Sequence, residues 1–448
     1  NYCLSLCTFS FFNIWILKLQ KKIMKKKFFI STLLALVIIF FLALWNVVSG
    51  GYDRQNKIIL FMKKFIPTQI SRKVRDTIFV IPDLKEQNKI LNVQVQKYEQ
   101  GLQGKKFKDI MIKSKKNKIE YSLKEFFLPF PRLDIRLGWA ATENSRRAHY
   151  LEIIGDKVLV ISGLGQTIFF DKENIFKNKL KQKNIQNNIS EILKSNRYEL
   201  IGIRDLFIED NKVYISLQHK DKNGFTINIY QADLSFDKLN FKLFFETKEY
   251  WPEYNVFSGG RIESFKDNRI LFSIGYSNVK GAAQNKQSLL GKIIAINKNT
   301  KQYDIMSIGN RNPQGLFYVK KQNLIINTEH GPKGGDEINF NFLNSTDVPN
   351  FGWDIASYGV EYDGRKIYKD SHSEHGFVEP FKYFTPSIGI SEVIYLSDED
   401  SLDQKKYLFV SSLRAASIYI IEISDQFNDV KDVDRLYFSQ QRLRDIEY

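Results

Sequence analysis

The sequence predicts an all-β protein, and its strand spacing and length favour a β-propeller. From about residue 150 the chain consists of short apolar runs of alternating pattern, separated by polar turns and without intervening helices. The runs are KVLVISG (157–163), KVYISLQ (212–218), TINIYQ (226–231), RILFSIG (269–275), KIIAIN (292–297), NLIINT (323–328), YLFVSS (407–412) and SIYIIEI (417–423). Many short strands in sequence indicate a sandwich, a barrel or a propeller. About 300 residues of such strands favour a propeller with several four-stranded blades.

The composition allows a large core and gives little sign of a nucleic-acid partner. Of the 448 residues, 43% are apolar and 14% are aromatic. A net charge of +16 would be compatible with nucleic-acid binding. The lysines, however, are spread along the whole chain beside Asn, Ile and Phe, so we expect no nucleic-acid partner. Both cysteines, Cys3 and Cys7, precede the first apolar run, and the main domain therefore has neither a disulfide nor a thiol.

The N-terminal segment predicts export. Three lysines after Met24 are followed by eighteen residues, Phe28–Trp45, that are apolar apart from one Ser and one Thr. This length reaches the lower limit for a spanning helix, and the lysines place its N-terminal end inside. We expect residues 1–23 to be an upstream extension and 24–48 a single-pass inner-membrane anchor, with the main domain in the periplasm. A cleaved signal peptide is the alternative and would release the domain into the periplasm.

Residues 49–145 are predicted to form a stalk or linker that is partly helical. Asp83 and Glu86 resemble a capping box, and Leu84, Leu91, Val95 and Tyr98 then recur at about heptad spacing. This pattern predicts one helix over about 83–100. Such a helix either self-associates or lies on the main domain, and the spacing does not decide between the two.

One stretch, from Gly309 to Trp353, carries the most informative motifs. It contains G-N-R-N-P-Q-G-L (309–316), E-H-G-P-K-G-G-D-E-I-N (329–339) and N-F-G-W (350–353). Further motifs follow in order, namely S-Y-G-V-E-Y-D-G (357–364), T-P-S-I-G-I-S (385–391), S-S-L-R (411–414) and R-L-R-D (442–445). By these motifs the chain resembles the soluble PQQ-dependent aldose sugar dehydrogenases, the glucose/sorbosone dehydrogenase family. The resemblance covers most of residues 197–445 and implies a six-bladed propeller over 146–448.

The resemblance also implies a cofactor site. In the family, PQQ is a planar tricarboxylate quinone that is held largely by arginine and lysine together with one calcium ion. The matching positions are Arg311, Asn312, Arg414, Arg442 and Arg444 for the cofactor, and the backbone carbonyls of Gly331 and Pro332 for calcium. Arginine presents paired donors in a planar fork that suits carboxylates, and calcium prefers oxygen ligands. Any one of these arginines alone would more often belong to a surface salt bridge, so the prediction depends on all of them being in register.

The catalytic base of the family is replaced in this chain. The family has a His four residues before the Arg of a G-G-R turn, and an Asp nineteen positions after the His orients it. Here Phe257 precedes Arg261 in F-S-G-G-R, and Tyr276 stands at the Asp position. Phe cannot accept the proton of a sugar hydroxyl, and Tyr, with a pKa near ~10, is a poor base at neutral pH. His330 is the only histidine near the motifs and the only substitute.

Three functions remain open from the sequence. The first is a membrane-anchored periplasmic quinoprotein that oxidises an aldose or a related alcohol with PQQ and calcium, and passes electrons to an external acceptor. The second is a catalytically degenerate propeller that binds a glycan, an anionic ligand or a protein. The third is a structural envelope protein that needs no site. The retained arginines favour the first two, and Phe257 and Tyr276 favour the second over the first on chemical grounds.

Overall fold

Antiparallel four-stranded units repeat along the chain. They are seen in a computed structural model, which describes residues 107–114, 120–128, 130, 148–344, 347–439 and 441–448. All of these residues fall within the unit Lys105–Tyr448. The predicted helix at 83–100 and the N-terminal segments at 1–23 and 24–48 lie outside the described residues.

The strands form one hairpin and five larger sheets. The hairpin pairs β1 (Phe107–Lys113) with β2 (Glu120–Phe126). The first blade contains β3 (His149–Ile154), β4 (Lys157–Ser162), β5 (Thr167–Asp171) and β6 (Lys183–Asn187), with the short β10 (Lys238–Leu239) parallel to β6. The second blade contains β7 (Glu199–Glu209), β8 (Lys212–Asp221), β9 (Gly224–Asp233) and β11 (Lys242–Glu246).

The remaining three blades have four consecutive strands each. They are β12 (Gly259–Phe265), β13 (Arg269–Ile274), β14 (Lys292–Asn297) and β15 (Tyr303–Ser307); β16 (Pro313–Val319), β17 (Leu324–Glu329), β18 (Asp336–Phe342) and β19 (Lys382–Phe384); and β20 (Ile390–Leu396), β21 (Lys406–Ser412), β22 (Ser417–Ile423) and β23 (Val430–Phe438). The α-helices α1 (Lys172–Phe176) and α2 (Ile189–Asn196) flank β6, and two single 3-10 turns cover Lys320–Gln322 and Ser373–His375.

The blades are arranged around a common centre. Their first strands, β3, β7, β12, β16 and β20, lie side by side in that order. Each blade packs against its neighbours through apolar side chains on both faces, so a middle strand such as β14 is buried on both sides. This explains why the middle strands are nearly continuous apolar runs, whereas outermost strands such as β11 and β15 are partly exposed. The all-β propeller is confirmed.

The prediction of six blades is wrong, because the described residues form five. Between the last blade and the first lie the β1–β2 hairpin and residues 441–448. On one side of the hairpin, Phe126 packs edge-on against Phe170, with ring centroids 6.0 Å apart. On the other side, Ser114 donates a hydrogen bond of 2.5 Å to Asp434. The strands β1 and β2, which the sequence analysis placed in the stalk, therefore fill part of the space where a further sheet would stand.

The prediction of a membrane-spanning helix fails in the part of the chain that the structure describes. No helix there is long and apolar enough to cross a bilayer. The apolar run Phe28–Trp45 lies outside the described residues. The prediction of a single-pass inner-membrane protein with a periplasmic domain therefore has no support in the described residues.

Candidate functional site

Arg311 lies at the centre of the candidate site, in the loop that leads into β16. Its backbone N–H donates to the carboxylate of Glu329, at the end of β17. Its guanidinium donates from Nη1 to the carbonyl of His330 at 2.8 Å and to that of Gly331 at 2.9 Å. The residue is only 4% exposed. The guanidinium is thus held against the β17–β18 loop and not directed into solvent.

Two aromatic rings flank this guanidinium. Its central carbon lies 4.5 Å from the centroid of Phe257 and 5.0 Å from that of Trp353. Trp353 also packs against Tyr276 and Tyr368, at centroid distances of 5.2 and 4.9 Å. A cation held over an aromatic face away from water gains about 2 kcal/mol or more. We call Phe257, Tyr276, Trp353 and Tyr368 the aromatic cluster.

The structure brings Phe257 and Tyr276 side by side, as their family positions require. Their ring centroids are 5.8 Å apart, and their planes are inclined by 32°. Gly275 allows this approach, because a Cβ at that position would collide with the carbonyl oxygen of Phe257. The Tyr276 hydroxyl donates to Asn278 at 2.8 Å, and burial raises its pKa above the usual value. Neither side chain is able to accept a proton near neutral pH.

A second buried guanidinium, that of Arg444, lies nearby on the C-terminal segment 441–448. Its Nη1 donates to Gln314 at 2.5 Å. Burial, together with the like charges of Arg261, Arg204 and Arg442, lowers the pKa of Arg444 to about 10. The Nε atoms of Arg311 and Arg444 are both buried without a hydrogen-bond partner in the part of the chain described. Several cations at close range with unused donors are typical of a site for an anion.

The other predicted cofactor residues differ from one another in exposure and in their contacts. Arg442 is exposed, and its charge acts on Arg444. Arg414 is also exposed, and its backbone N–H donates to the carbonyl of Ile388, just before β20. The Asn312 side chain is engaged internally, since its Oδ1 accepts from the backbone of Gly259 and from Gln314, both at 3.2 Å. Arg311, Arg442 and Arg444 are thus brought together, whereas Asn312 acts as a link between blades.

His330 is placed beside these cations but is poorly suited to be the base. Its Nε2 contacts the carbonyl of Ile390, so this nitrogen carries the proton and donates. Burial and the charges of Arg444 and Arg311 lower the pKa of His330 to about 4, and Asp336 offsets this only in part. The imidazole is therefore neutral at pH 7 and accepts a proton weakly.

The two carbonyls predicted to bind calcium already accept hydrogen bonds. The Gly331 oxygen accepts from Arg311 at 2.9 Å, and the Pro332 oxygen accepts from the hydroxyl of Ser387 at 3.2 Å. Two unit charges 4 Å apart repel by about 4 kcal/mol at an effective dielectric constant of 20, and a divalent ion doubles this. Nor do the described residues contain a group of three or more His, Cys, Asp or Glu side chains arranged to hold a metal. The carbonyl pair therefore does not fit a calcium ion.

A buried pair of carboxyl groups lies behind Arg311. Glu329 and Glu337 face each other across β17 and β18. Burial raises the pKa of Glu329 to about 8, although Arg311 opposes this shift. Burial and the nearby Glu329 raise the pKa of Glu337 as well. Glu329 is therefore largely protonated at neutral pH, and burial shifts the pKa of Glu337 in the same direction.

At the centre of the propeller, Arg261 connects the blades to the C-terminal segment. Its Nη1 contacts the carboxylates of Asp205 at 2.7 Å, Glu392 at 2.8 Å and Asp445 at 2.6 Å. Its Nη2 donates to the carbonyl of Arg444 at 2.9 Å. These contacts give Arg261 of the G-G-R turn a structural role. They also fix the backbone that carries Arg444.

Sequence reasoning missed two residues of the site. Trp353 was visible as the end of N-F-G-W, but a motif does not show which side chain a tryptophan packs against. Arg204 carries no motif, and its guanidinium donates to Gln218 through Nε at 2.8 Å and Nη2 at 2.6 Å. Only the positions of its neighbours reveal that it belongs to the cationic group.

The fold is that of a propeller of the sugar dehydrogenase type. The sequence profile of the glucose / sorbosone dehydrogenase family matches residues 174–448, which is more than half of the chain. The chain therefore belongs to the glucose/sorbosone dehydrogenase family.

Two relatives and two solved structures illustrate the similarity. The chain is 27% identical to an uncharacterised protein of Synechocystis over 55% of its own length and 64% of the relative's. It is 26% identical to the aldose sugar dehydrogenase YliI of Escherichia coli over 42% of its own length and 53% of the relative's. It thus spans less than two thirds of the length of each of these two relatives.

The solved structures are similar in fold. The soluble aldose sugar dehydrogenase of Escherichia coli in its apo form has a TM-score of 0.55 at 20% identity, over 68% of this chain and 91% of that one. A glucose dehydrogenase has a TM-score of 0.54 at 19% identity, with the same coverage of both chains. At these identities the likeness shows the fold alone.

Proposed function

We propose that this protein binds PQQ, or a closely similar planar polycarboxylate, at the cluster of Arg311, Arg442 and Arg444. The observation that supports this most strongly is the pair of buried guanidinium groups with unused Nε donors. Buried cations of like charge are tolerated where an anion offsets them. Family membership makes PQQ the first candidate for that anion. When bound, PQQ supplies a quinone that accepts a hydride equivalent from an alcohol carbon.

The proposed reaction is a slow oxidation of an aldose or related alcohol, with electrons passed to an external acceptor. Arg311 and Arg444 orient the carboxylates of the cofactor through charge-assisted hydrogen bonds. The aromatic cluster offers an apolar wall against which a sugar ring packs. Deprotonation of the sugar hydroxyl has no strong base at the Phe257 and Tyr276 positions, and His330 accepts a proton weakly. General-base assistance is worth ~10²–10⁴-fold in rate, so turnover is slow by about that factor.

Binding is tested by titrating the purified protein with PQQ while following its absorbance. Arg444→Met keeps the apolar stem and removes the charge, and it should weaken binding about tenfold or more, because a hydrogen bond to a charged group contributes ~1.5–3 kcal/mol. Arg365→Met is the matched control, since Arg365 is exposed and pairs only with Asp363 among the described contacts. Equal affinity for the parent and Arg444→Met would contradict the placement of the cofactor.

The second candidate is a propeller that binds an anionic ligand without oxidising a sugar. The packing of Phe257 on Arg311 favours it, because the residue at the position of the base now contacts a cation. The two candidates differ in one readout. Reduction of bound PQQ by an excess of aldose supports the slow enzyme, and a complex that stays oxidised supports the binding protein.

A further inference from the structure

The β17–β18 loop presents two adjacent carbonyl oxygens to one side of the site. Those of His330 and Gly331 both accept from Nη1 of Arg311, at 2.8 and 2.9 Å. Adjacent backbone carbonyls that point at one position are typical ligands of a hard cation. In this chain the charge at that position is an arginine of the protein itself.

The guanidinium is held in place from several directions. Phe257 and Trp353 pack on it at 4.5 and 5.0 Å. The backbone on either side of it is fixed as well, since the Arg311 N–H donates to Glu329 and the Arg311 carbonyl accepts from the N–H of Tyr276 at 2.9 Å. Nη1 makes both guanidinium hydrogen bonds, and Nε is buried without a partner among the described residues.

We propose that Arg311 is a built-in cation that replaces a divalent metal at the carbonyl of Gly331, one of the two carbonyls predicted to bind calcium. The site therefore binds its anionic ligand without calcium, through the charge of Arg311. Phe257 fits this role of Arg311, because its ring packs on the guanidinium. A histidine at position 257 would bring a titratable, partly positive ring against the guanidinium, whereas phenylalanine offers the electron-rich face that a cation prefers.

A single residue, Phe257, thus explains both the absence of the base and the absence of the metal. Phe257 excludes proton transfer and at the same time fixes the cation that occupies the metal position. The pairing of Pro332 with Ser387 removes a further carbonyl from any metal. Calcium is excluded by charge and by occupied ligands.

The test compares calcium binding by the parent, Arg311→Gln and Arg311→Lys, with calorimetry of CaCl₂ and with Tb³⁺ luminescence as the probe. Gln removes the charge and leaves the carbonyls available, whereas Lys keeps a cation. The parent and Arg311→Lys should bind no calcium at millimolar concentration, and Arg311→Gln should bind it at least about tenfold more tightly than either. Circular dichroism of each variant checks that the fold is retained.

Each result decides the proposal. Tight calcium binding by the parent would overturn it, and so would an Arg311→Gln protein that folds but binds calcium no better than the parent. A cofactor arm, which rests on the proposed function, measures the affinity of the parent for PQQ in EDTA and in calcium. Equal affinities support the proposal, and calcium-dependent binding overturns it. If PQQ binds in neither condition, the proposed function fails, while the calcium measurements still decide the role of Arg311.

Discussion

The guanidinium of Arg311 lies 4.5 Å from the ring centroid of Phe257. By family resemblance one residue belongs to the cofactor site and the other stands where the catalytic histidine would be. Through this contact the residue at the position of the base packs against a residue of the cofactor site, and its ring face holds the cation. The site thus combines buried cations with an aromatic ring that does not accept a proton.

Restoring the dyad should raise the oxidation rate. Phe257→His combined with Tyr276→Asp provides a base and the carboxylate that orients it. We expect an increase within the ~10²–10⁴ range of general-base assistance. Each single change should gain little, because a lone His faces Arg311 and a lone Asp is buried without a partner. Dye-linked aldose oxidation with PQQ present measures this. A single variant as fast as the double one would show that the two positions do not act together.

Stability should fall as the pH rises towards 8. Burial raises the pKa of Glu329 and of Glu392 to about 8, from an ordinary value of 4.5. The folded state thus binds more protons than the unfolded state between those values. The stabilisation is complete below about pH 4.5 and is lost as the pH passes through 8, with a slope of up to about 1.4 kcal/mol per pH unit for each group.

Glu329→Gln should flatten this profile, because the amide does not titrate. Urea unfolding at several pH values gives the slope for the parent and the variant. The exposed Glu374→Gln is the control and should leave the slope unchanged. A parent whose stability rises between pH 5 and pH 8 would contradict the protonated state of this carboxyl group.

Lys292 should be needed for the fold of the loop between β13 and β14. It is fully buried, and its Nζ donates to the carbonyls of Ala282, Ala283 and Leu290 at 2.8–3.0 Å. Lys292→Met keeps the length of the side chain but leaves three buried carbonyls without this donor. The carbonyls of Ala282 and Ala283 still accept from the backbone N–H groups of Asn285 and Gly309, so only that of Leu290 loses its sole donor among the described contacts. Because an orphaned buried group costs about 1–3 kcal/mol, we expect a loss in that range. Lys286→Met, in the same loop but exposed, is the control and should be nearly neutral in thermal unfolding.

The class of fold followed from the sequence because strand alternation is a local property. The run 292–297 coincides with β14, and 157–163 with β4 to within a residue. The number of blades did not follow, because it was taken from the resemblance. The segment at the place of a further blade offers only β1 and β2, which pair with each other.

The sequence predicted which residues lie in the site, but it did not predict which atoms their side chains contact. Motif spacing placed Phe257 beside Tyr276, and the structure shows them adjacent. Spacing does not show where a guanidinium points, so it left the Gly331 carbonyl free for calcium while Arg311 in fact binds it. The direction of a long side chain depends on its packing partners, here Phe257 and Trp353, which come from different blades.

We propose that the arginine cluster holds PQQ and that an aldose reduces the bound cofactor slowly. The most direct measurement is the absorbance spectrum of the purified protein with PQQ, recorded before and after an excess of aldose is added without air. We expect a shifted spectrum on PQQ addition, which shows the complex, followed by a reduction that is slow by ~10²–10⁴-fold relative to a site with a working base. An unshifted spectrum would contradict the cofactor site, and immediate reduction would show that another group supplies the base.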